Sequence, residues 1–204
     1  RSQKEKDRCP DKGFDSLRKA ARLQKQQITK KIFFAKKHTV KTLFAIQKWA
    51  LLVLYSEHAL RLDWADIQLK KPDESKNNFL YKYPRKGWIL TLRKYKTAKT
   101  RGSTTIKISR AASMVLTKLV PIVKEVTKHG YLLTNSKGER LTRNGLSKLL
   151  IRLTERLLGN KGFSSTLIRV LKSTKFSKQL EKSSELAKEM LHSQEQNYQY
   201  SRVD

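Results

Sequence analysis

Four separate segments carry side chains suited to work on a phosphate. EHALRLDWADI (57–67) holds Arg61, and YKTAKTRG (95–102) holds Lys96 and Lys99. SSTLIRVLKS (164–173) holds Arg169 among apolar neighbours. EMLHSQEQNYQYSR (189–202) holds His192, Tyr198 and Tyr200. A guanidinium is a planar fork of donors that stays charged at any working pH, so it suits the non-bridging oxygens of a phosphate. A phenol has an ordinary pKa of ~10 and attacks near neutral pH only where cations stabilise its ionised form. Each residue also has an ordinary explanation. Arginines form surface salt bridges, lysines touch nucleic-acid backbones, and tyrosines pack terminal helices.

Charge separates these explanations in part. The chain of 204 residues has 46 Lys and Arg against 17 Asp and Glu, a net +29. Folding does not need that excess, because self-repulsion opposes compaction. Nucleic acid is the first candidate partner, since phosphates fix Lys and Arg and release counterions. An anionic membrane ranks second, because no basic amphipathic helix ends in bulky apolar anchors.

The length suits one large domain or one domain with an appendage. Apolar residues make up 38%, enough for a core. Cys9 is the only cysteine, so no internal disulfide forms and no Cys-based metal site exists. His38, His58, His129 and His192 lack metal-ligand spacing, and there is no G-x-x-x-x-G-K-[ST] stretch. No metal and no cofactor is therefore expected. No apolar run approaches the ~18–20 residues of a membrane span. An intracellular, reducing setting is the expectation: nucleus or infected host cell if eukaryotic, otherwise cytoplasm. The chain begins on Arg1, which suggests an excised fragment.

The elements that must position these residues follow from periodicity. Residues 1–14 read as a flexible basic arm. A helix is expected from Asp15 to Phe34 with Asp15 as its cap, and a second from Thr39 to Tyr55 with Thr39 as its cap. WALLVLY (49–55) is apolar all round, so that second helix should be central. The pattern then shifts to strands at Asn78–Tyr83, Gly87–Tyr95 and Thr104–Ile108, with residues 96–103 as a basic hairpin tip. Helices return from Ser109, with Pro121 kinking or restarting the helix, and from Thr142 to Leu158, where Gly159 sits at the stop position. Another runs from Ser164 or Ser165 to about Lys175, and one or two more follow Ser184. The expected class is α+β, mainly helical, with helices around a small three-stranded antiparallel sheet.

With the elements in place, the four segments in this order resemble the catalytic domain of the tyrosine recombinases, the phage-integrase family. The resemblance spans residues from about 40 to 204. LRLDWADI resembles the pattern LR-x-S-E-L-x-x-L-x-x-x-D-I around Arg61, with Asp63 at a position expected small and Trp64 where the acid is expected. Lys96 is similar to the lysine on that family's β-hairpin tip. Arg169 is similar to the arginine of H-x-x-R, with Thr166 in place of the histidine and Val170 after it. MLHS stands for the usual L-G-H-S and yields His192, and YSRV resembles the ending around the nucleophile, Tyr200. The variants suggest a divergent viral or mobile-element branch.

The resemblance implies a metal- and ATP-independent enzyme that breaks and rejoins double-stranded DNA. Arg61 and Arg169 would grip one scissile phosphate, and positioned donors of this kind contribute on the order of 3 kcal/mol each. Tyr200 would attack to give a 3′-phosphotyrosine link and a free 5′-hydroxyl. Lys96, or Lys99 on the same tip, would protonate the leaving oxygen. His192 would hydrogen-bond the phosphate or orient the tyrosine, and Tyr198 is the alternative nucleophile.

The resemblance further implies a homotetramer at synapsis and a monomer free in solution. Residues 15–204 would form the catalytic domain, and the N-terminal DNA-clamping domain is expected to be absent from this chain. Two other readings compete. One is a type IB topoisomerase, although QNYQY lacks the S-K-x-x-Y pattern usual there. The other is a non-catalytic basic nucleic-acid-binding module.

Overall fold

A computed structural model of the chain describes residues 13–33, 35–159 and 162–189. The helices are α1 (Asp15–Gln26), α2 (Lys30–Phe33), α3 (Val40–Glu57), α4 (Ala98–Arg101), α5 (Arg110–Val126), α6 (Arg143–Leu158) and α7 (Ser165–Glu189). The strands are β1 (Ile67–Gln68), β2 (Asn78–Tyr83), β3 (Gly87–Leu92) and β4 (Thr104–Lys107), and a 3-10 turn spans Asp63–Asp66. The architecture is α+β and mainly helical.

α3 is the axis of the core. Leu43, Ile46, Ala50, Leu51, Leu52, Leu54 and Tyr55 are fully buried on it. Most of its circumference is covered, with α1 and α5 packed against it, and Lys41, Phe44 and Lys48 mark the part left open. Its start is a capping box, with Thr39 Oγ1 accepting from the Thr42 N–H at 3.3 Å and Thr42 Oγ1 accepting from the Thr39 N–H at 2.8 Å. Gln47, buried in the middle of α3, exchanges two 2.8 Å hydrogen bonds with the backbone of Thr134. That pair ties the turn before α6 to the core.

The sheet corrects the expected three antiparallel strands. It has four, in the order β1-β2-β3-β4, and β1 runs parallel to β2 with Ile67 opposite Asn78. β2, β3 and β4 are antiparallel neighbours. β1 has two residues, too few to display a period, and becomes a strand through its partners. Its other edge is held by the Leu132 N–H on the Ile67 carbonyl at 2.9 Å and the Leu69 N–H on the Gly130 carbonyl at 2.8 Å.

Three further expectations shift. The first helix divides after Gln26, and Asp15 lies inside its first turn rather than at the cap, which is Phe14 without a side-chain bond. The Asp15 carboxylate instead receives Lys175 of α7 at 2.7 and 2.8 Å. The tip between β3 and β4 contains the helical turn α4. The helix expected to end near Lys175 continues to Glu189 and takes in Ser184, where a separate helix was expected. Pro121 lies exposed inside a single α5.

α7 is seated on α6 by a close approach. A Cβ on Gly162 would lie 2.0 Å from the Ile151 carbonyl oxygen, so only glycine fits. The next residue, Phe163, is fully buried, and its N–H donates to Thr154 Oγ1 at 2.7 Å. Burying that ring contributes roughly 2–3 kcal/mol. Among the described residues no helix is long and apolar enough to cross a membrane.

Candidate active site

Arg61 sits on the connection between α3 and β1, and that connection is held from several sides. The buried Tyr55 hydroxyl donates to the Arg61 carbonyl at 2.7 Å. The fully buried Trp64 donates its indole N–H to the His58 carbonyl at 3.3 Å. The imidazole Nε2 of His58 accepts the Ser109 N–H at 3.0 Å, which joins the end of α3 to the cap of α5. Asp63, the departure noted within LRLDWADI, is buried and accepts from Arg143 Nη2 at 2.8 Å. Asp66 accepts from Arg140 Nη2 at 2.7 Å and from Arg143 Nε. This cluster fastens the 3-10 turn to the start of α6.

Burial raises the Asp63 pKa, and the Asp66 charge adds to it; the opposing pull of Arg143 and, more weakly, Arg61 does not cancel the rise. Burial opposes the Arg143 charge as well, but the hydrogen bond and charge of Asp66, and then Asp63, outweigh it and raise the Arg143 pKa. Asp63 is therefore occupied with its ion pair.

The hairpin carries the lysine. Asn78 ends β3 by accepting from the Arg93 and Lys94 N–H groups at 2.9 and 2.8 Å. The Tyr95 hydroxyl donates to the Gly102 carbonyl at 2.8 Å and lies 3.1 Å from Thr104 Oγ1, closing the base of the tip. Lys96 is exposed at the start of this tip.

Arg169 lies on the second turn of α7. Ser164 caps that helix by accepting from the Leu167 N–H at 3.1 Å. Ile168 and Leu171 are buried on either side of it, which leaves Arg169 at the half-exposed margin. Lys172 donates to the Glu57 carbonyl at 2.5 Å, binding α7 to the end of α3.

These three supports converge. One cleft of about 290 Å³ is lined by Arg61, Lys96, Arg101 and Arg169, together with Asp63, Tyr95 and Thr104. Among the described residues none of the four cations forms an ion pair within 4.0 Å or donates a side-chain hydrogen bond. A neighbouring cavity of about 350 Å³ shares Ala59 and Arg169 and adds Lys172, Ser173 and the exposed Phe176. No family model, curated protein or solved structure matches the chain.

The structure thus brings Arg61, Lys96 and Arg169 to one place. Lys99 is exposed on α4 and does not line the cleft. Thr166, one helical turn before Arg169, is exposed and does not line it either. His192, Tyr198 and Tyr200 lie outside the described residues. Sequence reasoning missed Arg101. Its signal was present in the basic run 96–101, but only the helical turn α4 returns that side chain to the cleft. Among the described residues no group of three or more His, Cys, Asp or Glu side chains gathers as a metal site would require. What the arrangement can do chemically is bind a dianionic or monoanionic oxyanion through guanidinium and ammonium donors.

Proposed function

We propose that the chain is a DNA strand-breaking and rejoining domain of the tyrosine-recombinase kind. One observation carries the reading: Arg61, Lys96 and Arg169, from segments far apart in the chain, line a single cleft. Three of the four cations that line it are positions the sequence pattern singles out, and that coincidence supports the reading.

In this reading the scissile phosphate sits between the Arg61 and Arg169 guanidinium groups. They stabilise the charge that builds on its non-bridging oxygens as the nucleophile approaches. The Tyr200 phenol releases its proton to solvent and its oxygen bonds to phosphorus. The bond from phosphorus to the 5′-oxygen breaks, and that oxygen takes a proton from Lys96. His192 hydrogen-bonds the phosphate or orients the phenol. Rejoining reverses the steps, with the 5′-hydroxyl as nucleophile and the phenol as leaving group. The ester conserves the bond energy, so no ATP enters. Double-stranded DNA is the partner, with a homotetramer at synapsis.

The test is covalent trapping on pools of nicked duplexes of random sequence, which lose the short leaving strand and cannot rejoin. An adduct whose peptide map identifies Tyr200, abolished in Tyr200→Phe and retained in Tyr198→Phe, is expected. Absence of any adduct from every pool overturns the enzyme reading. Joining of two separate duplexes, rather than relaxation of one, distinguishes recombination from topoisomerase action.

A further inference from the structure

A second basic concavity, of about 430 Å³, shares no lining residue with the Arg61 cleft. It lies between α3 and α6. Its floor is apolar: Phe44 and Leu149 are partly exposed there, over the buried Leu141 and Leu153. Its rim is Lys48, Lys148, Arg152 and Arg156, and no acidic residue lines it among the described residues.

Three of the rim cations follow one another at four-residue steps along α6. They form one stripe about 12 Å long. Like charges at that spacing disfavour a helix, so the stripe works against the element that carries it. Arg156 is oriented but not neutralised, because its Nη2 donates to the amide oxygens of Gln24 at 2.7 Å and Gln27 at 3.2 Å. Lys48 reaches over the Phe44 ring, with its Nζ 4.7 Å from the centroid. Burial, and then the Arg156 charge, lower the Lys48 pKa. Lys48 is therefore partly desolvated, while Lys148, Arg152 and Arg156 stand exposed beside it, and none of the four has an acidic partner within 4.0 Å among the described residues.

The floor decides which anion. A nucleic-acid duplex would satisfy the rim, but its bases stay stacked inside and bring no apolar group to Phe44 and Leu149. A single strand could stack a base there only on a Phe44 ring that Lys48 already covers. A peptide with carboxylates on one side and apolar side chains on the other satisfies both. We propose that this groove docks an acidic amphipathic peptide segment of a partner protein, with its apolar side chains on Phe44 and Leu149 and its carboxylates on Lys48, Arg152 and Arg156. The proposal is independent of strand cleavage at the other cleft.

The experiment selects a displayed library of short random peptides on the folded chain, then measures the winners by fluorescence anisotropy. Enriched peptides should combine several acidic residues with apolar residues at helical spacing. Their affinity should fall by about tenfold or more in Arg152→Glu and in Lys148→Glu, both exposed positions, and stay unchanged in Arg61→Ala. Leu149→Ser should weaken them while leaving binding of a short single-stranded oligonucleotide unchanged. Failure to enrich any peptide, winners lacking acidic or apolar residues, or equal binding to Arg152→Glu would each overturn the proposal. An oligonucleotide that displaces the peptides, and itself loses affinity in Arg152→Glu, would reassign the groove to nucleic acid.

Discussion

The Tyr55 hydroxyl, buried in the core helix, donates a 2.7 Å hydrogen bond to the backbone carbonyl of Arg61. The contact ties the most apolar helix among the described residues to the residue placed at the cleft. Burial, with a smaller contribution from Asp63, raises the Tyr55 pKa, so the group is a proton donor at any physiological pH. Tyr55→Phe removes the donor and keeps the ring. Unfolding in urea should show a loss of about 1–2 kcal/mol, since a half-buried carbonyl is left unpaired. Covalent adduct formation should fall by more than that loss explains, because the Arg61 backbone is released. Unchanged adduct kinetics in a variant that is destabilised would remove Tyr55 from the positioning of Arg61.

Removal of the two arginines that fasten the 3-10 turn should have unequal effects. Arg143→Ala strands the buried Asp63 carboxylate and should lower stability by about 2 kcal/mol. Arg140→Ala breaks a more exposed pair with Asp66 and should lower it by no more than about 1 kcal/mol. Equal losses in denaturant titrations would mean that Asp63 is not the demanding partner.

Arg61→Ala and Arg169→Ala should each reduce adduct formation by about 10²–10³-fold at saturating DNA. Lysine at either position should recover little, because an ammonium cannot reproduce a two-pronged contact. Arg101→Ala should act differently. It should weaken DNA binding and lower the salt slope by about one, with a smaller effect on the rate once DNA is bound. A flat salt dependence of the unaltered chain would count against phosphate binding altogether.

Lys96 can be tested by making its proton unnecessary. Lys96→Ala should be slow on ordinary DNA and much less impaired on a substrate whose leaving 5′-oxygen is replaced by sulfur, which departs without protonation. Lys99→Ala should match the unaltered chain on both. Equal impairment on both substrates would leave Lys96 as a binding contact only.

His58 predicts a pH dependence of stability. Its Nε2 accepts a hydrogen bond from Ser109 and so must be unprotonated. Burial first, and then the Lys172 charge, lower its pKa, against a smaller upward pull from Glu57. Above the ordinary value of ~6.5 the ring is neutral in both folded and unfolded chains, and its contribution is complete. As pH falls below ~6.5 the unfolded chain takes up the proton first, so stability declines until the lowered folded pKa is reached. His129, whose pKa burial and Arg140 also lower, acts in the same direction. Subtracting the urea-unfolding pH profile of His58→Gln should therefore isolate a positive slope below ~6.5. Identical profiles would remove His58 from the effect.

Much of the scaffold was legible in the sequence because its causes are local. Thr39 and Ser109 cap the helices expected of them, Thr142 caps the helix expected to begin on it, and Gly159 ends α6 in the left-handed conformation with φ 70°. The strand from Asn78 to Tyr83 lies where the alternating aromatics Phe79, Tyr81 and Tyr83 predicted it. Caps, alternation and helical spacing are decided by neighbours within a few residues, so one chain displays them. Arg61, Lys96 and Arg169 were singled out by their order and surroundings in the sequence. Only the folded chain brought them to one cleft. Their meeting depends on the Tyr55 hydroxyl beneath Arg61, the Tyr95 closure of the hairpin and the seating of Gly162 on Ile151, all contacts made between elements. Strand β1, the meeting of Arg101 with Arg61 and Arg169 at the cleft, and the ion pairs from Arg143 to Asp63 and Asp66 likewise need contacts between elements. They arise from partners distant in the chain, whose proximity is set by packing around α3 and has no local signature.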